Sequence, residues 1–191
     1  MKVQSLIESK GVLFPKPRVA AKRYIATMKF LITTIAIILT TLCNAQNTIP
    51  KVLEKLNKNS VPYISFSELK TKDSFVLLDA REIEEFNISH IENAINVGFD
   101  KFDSKKVSTI LKDKNAIVVV YCSIGVRSEK IGEKLLKLGY KNVYNLYGGI
   151  FEWKNKDGIL IDNNNQTTDK VHTFNKEWSI YLEKGTKVYE E

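Results

Sequence analysis

Cys122 and Arg127 lie five positions apart in the segment that follows a β-branched apolar run. A thiolate is a strong nucleophile, and a fixed positive charge nearby lowers the pKa of a thiol. Gly125 lies between the two residues and accepts a positive φ, which lets backbone amides curl around an anion. We therefore predict that Cys122 is a reactive nucleophile. The residue pattern leaves one alternative, a buried structural cysteine at the end of a strand.

Two secondary-structure elements must position this cysteine. Residues 117–121 form an apolar, β-branched run that predicts a buried strand. From Ser128 onward, apolar residues recur at the spacing of one face of an amphipathic helix. Cys122 then lies between the carboxyl end of a strand and the amino end of a helix. Unpaired N–H groups and the helix dipole favour a negative charge there.

Strand and helix patterns alternate through residues 63–158, which we predict to be the main domain. Apolar runs ending at Asp79 and Leu146 predict two further buried strands, and residues 94–97 predict a short one. Helical patterns cover residues 51–58, 65–70, 99–112, 128–138 and 150–154. This alternation predicts an α/β fold, with a central parallel sheet flanked by helices on both faces. In residues 159–191 we expect a polar loop and then a helix over Val171–Leu182 that packs on the domain.

The charge of the chain is unevenly distributed. The whole sequence has 29 Lys and Arg against 22 Asp and Glu, a formal net charge of +7. Residues 1–45 hold seven of the basic and one of the acidic residues, which leaves 22 against 21 in the remainder. The body of the protein is therefore nearly neutral. Without a basic patch, we predict no nucleic-acid partner.

Residues 28–45 have the pattern of a secretory signal peptide. A lysine precedes an apolar run, and small residues precede a predicted cleavage after Ala45. We expect a periplasmic or secreted protein without stable membrane association after cleavage, and an uncleaved membrane anchor is the alternative. Residues 1–27 are predicted to be a dispensable or untranslated extension. Residues 46–62 are predicted to be a linker with a short helix.

The cysteine and histidine content argues against a metal site. Cleavage of the signal peptide would remove Cys43 and leave Cys122 as the only cysteine. A single thiol excludes an internal disulfide, a C-x-x-C redox pair and a cysteine-rich zinc site. Only two histidines are present, so a histidine-based metal site is not expected. We predict no metal and no cofactor.

Four segments resemble, in the same order along the chain, motifs of the rhodanese-like domain family. They lie within Tyr63–Trp153 and comprise Leu78–Arg81 with Glu84–Phe86, His90–Val97, Val120–Ser128 and Leu146–Trp153. The resemblance implies a central parallel sheet with flanking helices. It also implies a sulfurtransferase, which moves sulfane sulfur from a donor such as thiosulfate or a persulfide to a thiol or cyanide.

The same resemblance assigns roles to particular residues. Cys122 would carry the persulfide, and Asp79 and Arg81 would brace its loop from beneath. The loop residues that would hold the charge of the sulfur are Ser123, Ile124, Gly125, Val126, Arg127 and Ser128. The partners implied are a small-molecule sulfur donor and a thiol or cyanide acceptor.

Two other functions are compatible with this fold. Phosphatases and arsenate reductases of the fold also use a cysteine and an arginine around a loop, but with five residues between them. Only the four residues from Ser123 to Val126 intervene here, which suits one sulfur atom better than a tetrahedral oxyanion. The other alternative is a non-catalytic rhodanese-like binding module, which the presence of the cysteine disfavours.

Overall fold

The computed structural model describes residue 21 and residues 24–35 and 48–189. Residues 24–35 are helical. Among the described residues, no helix is both long and apolar enough to cross a membrane. Cys43 and the predicted cleavage position after Ala45 lie outside the described residues. Export and cleavage therefore stay predictions.

Packing divides the chain into two compact units, Met1–Gln46 and Asn47–Glu191. A five-stranded parallel sheet forms the centre of the second unit, in the order β1-β5-β4-β2-β3. Its strands are β1 Tyr63–Ile64, β2 Val76–Asp79, β3 Ile95–Asn96, β4 Ile117–Tyr121 and β5 Asn142–Leu146. The predicted α/β fold with a central parallel sheet is confirmed, and β4, the strand before Cys122, is the middle strand.

The α-helices of the second unit are α1 Ile49–Leu56, α2 Phe66–Leu69, α3 Ile83–Ile88, α4 Ser104–Ile110, α5 Val126–Lys137 and α6 Gly149–Asn155. Alternate residues of β4 point to opposite faces of the sheet, as the period of a strand requires. Val119 and Tyr121 pack in a core that includes residues of α1, α2 and α6. Val118 and Val120 pack in a second core with residues of α4 and α5. Both faces of the sheet are therefore covered by helices.

Local sequence signals explain where several helices begin and end. Ser65 and Glu68 form the expected capping box, in which the Ser65 N–H donates to the Glu68 carboxylate at 2.8 Å. Gly139 follows α5 with a φ of 89°. The N–H groups of Gly139 and Tyr140 donate back to carbonyls of the last turn of α5, which is a Schellman motif. These bonds satisfy carbonyls that the helix leaves without partners.

The predicted helix over Val171–Leu182 is wrong. The segment instead contains strand β6, Lys170–His172, and a 3₁₀ helix, Trp178–Tyr181. Strand β7, Thr186–Val188, pairs in parallel with β6. Phe174 has a φ of 66°, which an α-helix does not allow. The apolar residues of this segment have the spacing of a helix, but they are buried without forming one. Tertiary packing therefore outweighs the local pattern.

Candidate active site

Cys122 lies at the junction that the sequence predicts, directly after β4 and four residues before α5 begins. The residue is 2% exposed, and its thiol is free. The Gly125 N–H donates to Sγ at 3.2 Å, and the Ser128 hydroxyl lies 3.5 Å from Sγ. The sulfur therefore faces polar hydrogens of the loop and of the first turn of α5. These donors favour the thiolate.

Several influences determine the pKa of the Cys122 thiol. Burial is the largest and raises the pKa, because it disfavours the charged form. The positive charge of Arg127, the Ser128 hydroxyl and the backbone N–H groups of Ser128 and Gly125 act in the opposite direction. The net effect holds the pKa of Cys122 below its ordinary value. Cys122 therefore has the electrostatics of a nucleophile.

The shape of the cysteine loop depends on Gly125. This residue has a φ of 117°, where L side chains are strained. Its carbonyl accepts hydrogen bonds from Asn57 Nδ2 at 2.9 Å and from Asn145 Nδ2 at 2.8 Å. Asn145 also accepts from the Ser128 hydroxyl at 2.7 Å. Two buried asparagines far apart in sequence thus keep the Gly125 N–H directed at the sulfur, and sequence analysis missed both of them.

The beginning of α6 holds the cysteine loop from its other side. Ile150 N–H donates to the Cys122 carbonyl at 2.9 Å, and Phe151 N–H donates to the Ser123 carbonyl at 3.1 Å. A Cβ at Gly149 would lie 2.3 Å from the Cys122 carbonyl oxygen, well inside van der Waals contact. Glycine is therefore required at this position for the helix to approach the loop.

Arg127 lies beside the cysteine but is paired with a carboxylate. Its Nη1 and Nη2 donate to Glu85 at 2.5 and 2.8 Å, and Nη2 also donates to Ser123 Oγ at 2.9 Å. The Glu85 side chain is 4% exposed and that of Arg127 20%. Burial raises the pKa of Glu85, but the hydrogen bonds and charge of Arg127 outweigh burial and lower it. Sequence analysis missed this role of Glu85, although the residue belongs to a quoted motif.

The bracing of the cysteine loop by Asp79 and Arg81 stays a prediction. They form a fully buried ion pair with a shortest distance of 2.6 Å. Arg81 Nη2 also donates to the Ser89 carbonyl at 2.7 Å. The hydrogen bonds of this pair therefore stabilise the end of β2 and the segment after α3. In the part of the chain that the structure describes, the side-chain hydrogen bonds of this pair reach no residue of 123–128, but the Arg81 guanidinium lies 5.7 Å from the ring centroid of Tyr121, the residue before Cys122.

A pocket opens above Cys122. Its walls are almost entirely apolar and are formed by Leu56, Cys122, Ser123, Ile124, Val126, Arg127, Phe174 and Trp178. Five of the predicted site residues therefore meet around the sulfur in addition to Gly125 and Ser128. Leu56, Phe174 and Trp178 were not predicted, because they come from segments that flank the main domain. A nucleophilic thiolate at the base of an apolar pocket can attack an electrophilic atom of a small molecule.

Metal ligands are not clustered in this unit. In residues 21, 24–35 and 48–189, no group of three or more His, Cys, Asp or Glu side chains is placed to hold a metal ion.

Residues 65–156 match the family model of the rhodanese-like domain. The chain belongs to this family through that segment. A curated relative, the tRNA uridine(34) hydroxylase of Yersinia pestis (strain Pestoides F), is 38% identical over 84 residues, 42% of this chain and 24% of the relative. The chain therefore spans about a quarter of the length of the curated relatives it matches.

The chain is also similar to solved structures. The thiosulfate sulfurtransferase from Pseudomonas aeruginosa is 22% identical, with a TM-score of 0.50 over 65% of this chain and 24% of that chain. A rhodanese-like domain protein from Staphylococcus aureus is 30% identical, with a TM-score of 0.41 over 48% of this chain and 90% of that chain. The residues outside 65–156, including Leu56, Phe174 and Trp178, lie beyond the match to the family model.

Proposed function

We propose that this protein is a sulfurtransferase that carries sulfane sulfur as a persulfide on Cys122. The Cys122 thiolate attacks the sulfane sulfur of a donor, and an S–S bond to Sγ forms. The bond between that sulfur and the rest of the donor breaks, and its electron pair leaves with the donor, as sulfite if the donor is thiosulfate. An acceptor thiolate or cyanide then attacks the outer sulfur, which regenerates the Cys122 thiolate.

The observation that carries the proposal is a free thiol that lines a pocket and has two hydrogen-bond donors directed at its sulfur. The hydrogen-bond donors around Sγ lie close to the sulfur. The Gly125 N–H at 3.2 Å and the Ser128 hydroxyl at 3.5 Å suit a single anionic sulfur. A protein of the same fold, from Pseudomonas aeruginosa, is named a thiosulfate sulfurtransferase, which is compatible with this chemistry.

Mass spectrometry of the intact protein tests the covalent step. Incubation with a sulfane donor should increase the mass by one sulfur atom, and cyanide should remove that atom. Cys122→Ser should never acquire it. In a chain cleaved after Ala45, Cys122 is the only cysteine, so the modified residue can be assigned directly in that form.

Two outcomes would contradict the proposal. Efficient turnover of an aryl phosphate that depends on Cys122, without any persulfide, would favour a phosphatase. Neither activity in a folded protein would favour a binding module. The relative named tRNA uridine(34) hydroxylase shares only a partial segment with this chain, and the nearly neutral body of the protein does not support a nucleic-acid partner.

We also propose that the protein acts outside the cytoplasm, with small molecules as its partners. The pattern of residues 28–45 supports export by a cleaved signal peptide. The exported protein should then begin at Gln46, which an intact mass measures. Recovery of a chain that still begins at Met28 in the cytosol would contradict this prediction.

A further inference from the structure

The walls of the pocket above Cys122 come partly from outside the segment that matches the family. Leu56 belongs to α1, whereas Phe174 and Trp178 belong to the segment that follows the main domain. Two residues of this second segment anchor it in the core. Val171 and Leu182 are 0% and 1% exposed and pack in the core. The two aromatic side chains are therefore a built part of the pocket.

Hydrogen bonds define the backbone around both aromatic residues. The Asn175 N–H donates to the Thr173 carbonyl at 2.8 Å and closes a three-residue turn with Phe174 at its centre. The Trp178 N–H donates to Asn175 Oδ1 at 3.0 Å, which opens the 3₁₀ helix. A turn of this kind with a positive φ at a bulky residue is rare and strained. Such strain is a recurrent mark of functional sites.

Phe174 is 55% exposed although it lines the pocket. Burial of the ring in the core therefore does not explain the strained turn. The ring instead lies beside Arg127, with the guanidinium carbon 5.7 Å from the ring centroid, within the range of a cation–π contact. The aromatic side chain thus lies next to the cation that lines the pocket.

The charges at the pocket do not suit a small dianion. Arg127 is the cation that lines the pocket, and both of its terminal nitrogens already donate to Glu85. The carboxylate offsets part of the charge of the guanidinium at close range. Thiosulfate would thus exchange its hydration for apolar walls and a cation that is already paired, which is unfavourable.

We infer that the pocket selects sulfur donors that carry an apolar organic group on the sulfur atom to which the sulfane sulfur is bonded, and that Phe174 and Trp178 are the specificity-determining residues. The inference rests on the proposed sulfurtransferase activity and names its substrate class. The apolar group lies against the two aromatic rings while the sulfane sulfur meets Sγ of Cys122. Thiosulfate, which has no apolar group, is a poorer donor.

Organic thiosulfonates, R–SO₂–S⁻, test this inference because R can be varied at constant charge. The Cys122 thiolate attacks the outer sulfur, an S–S bond to Sγ forms, and the bond between the two donor sulfurs breaks. The electron pair of that bond leaves with the sulfinate, R–SO₂⁻. The two negative charges of the reactants become one on the persulfide and one on the sulfinate, so charge and electrons balance without an oxidant.

The experiment compares benzenethiosulfonate with methanethiosulfonate as donors. The kcat/KM of each is divided by its rate constant with free cysteine in solution, which removes the difference in intrinsic reactivity. The corrected ratio is the value for benzenethiosulfonate divided by the value for methanethiosulfonate. For the wild-type protein it should be about ten or more, the scale of discrimination by an apolar pocket. Thiosulfate should have a lower kcat/KM than benzenethiosulfonate.

Three variants test which residues cause the preference for the benzene compound. Phe174→Asn removes the ring but tolerates a positive φ, and it should lower the corrected ratio about tenfold. Trp178→Ala should lower the ratio in the same direction. Ile180→Ala is the matched control, since Ile180 belongs to the same 3₁₀ helix but is 50% exposed and does not line the pocket. Its ratio should equal that of the wild type.

The outcomes separate this inference from the proposed function. A wild-type ratio near one, or a ratio that Phe174→Asn leaves unchanged, overturns the inference even if sulfur is transferred. A failure of every donor to form the Cys122 persulfide overturns the proposed function itself. The wild-type ratio needs no variant, so the inference remains testable if Trp178→Ala does not fold.

Discussion

At the scale of single residues, the ionisation of Cys122 depends on a cation that is shared. Arg127 lowers the pKa of the thiol through its charge, yet its hydrogen bonds go to Glu85 and Ser123. Glu85 fixes the position of the guanidinium and at the same time offsets its charge. The sequence motif identifies the arginine, whereas the carboxylate that orients it becomes evident only in the structure.

Arg127→Ala should raise the pKa of Cys122, because it removes the charge that most strongly opposes burial. The pH dependence of alkylation of Cys122 measures this shift, and its midpoint should move upward from the wild-type value. The variant also leaves the buried Glu85 without its partner, which should reduce the free energy of unfolding by about 3 kcal/mol. Unchanged alkylation would show that the charge of Arg127 does not reach the sulfur.

The variant that combines Arg127→Ala with Glu85→Gln is the control for stability. It should recover most of the lost free energy, since no carboxylate is left buried without a partner. Its response to acid should also differ from that of the wild type. The pKa of Glu85 is lowered from 4.5 in the folded protein, so its stabilising effect is present above that pH and is lost as the pH falls through the lowered value. The combined variant lacks this loss.

At the scale of elements, the site is the meeting point of β4, α5 and α6. The amide groups at the start of α6 bind the carbonyls of Cys122 and Ser123. This contact needs a residue without a side chain at Gly149, whose φ is 55°. The glycine therefore contributes to the site through the approach of two backbones.

Gly149→Ala should disrupt the cysteine loop, because the added Cβ meets the Cys122 carbonyl oxygen at 2.3 Å. We expect a lower melting temperature and slower alkylation of Cys122. Gly139→Ala is the matched control, since Gly139 has a φ of 89° but no atom within 4 Å of an added Cβ. It should cost about 1–2 kcal/mol in backbone strain alone. Equal alkylation rates in the two variants would contradict the proposed contact.

At the scale of the second unit, the residues after the main domain complete both the core and the pocket. Leu182 is 1% exposed and packs in the same core as residues of α1, β4 and α6. Asn155 in α6 links the segment further, because its Nδ2 donates to the Tyr181 carbonyl at 3.0 Å and its Oδ1 accepts from the Glu183 N–H at 2.8 Å. We therefore expect the segment to unfold cooperatively with the rest of the second unit.

Leu182→Ala should reduce the free energy of unfolding by about 2–5 kcal/mol, the range for truncating a buried leucine. Urea unfolding measures the change. Ile180→Ala, at a position that is 50% exposed, should change stability by less than about 0.5 kcal/mol. A chain that ends at residue 158 should be less stable than either variant. If that chain unfolds at the same urea concentration as the full chain, the terminal segment does not belong to the cooperative unit.

The sequence by itself determined the parallel α/β fold, the junction of strand and helix at Cys122 and the family. Those features are local, since a β-branched run, an amphipathic period and short motifs each lie within a few consecutive residues. The capping box at Ser65 and the helix end at Gly139 are also local features, because the hydrogen bonds that define them span only three to five positions.

Only the tertiary structure shows which residues from distant segments reach the cysteine loop and the pocket. Asn57, Glu85 and Asn145 reach the cysteine loop across long stretches of sequence, and no local pattern pairs them with it. The terminal segment does not form the predicted helix. Its apolar spacing fits a helix, but its burial depends on how it packs against the core. Phe174 and Trp178 reach the pocket through that packing. The cysteine and its loop could therefore be identified from neighbouring residues, whereas the pocket depends on contacts between residues distant in the chain.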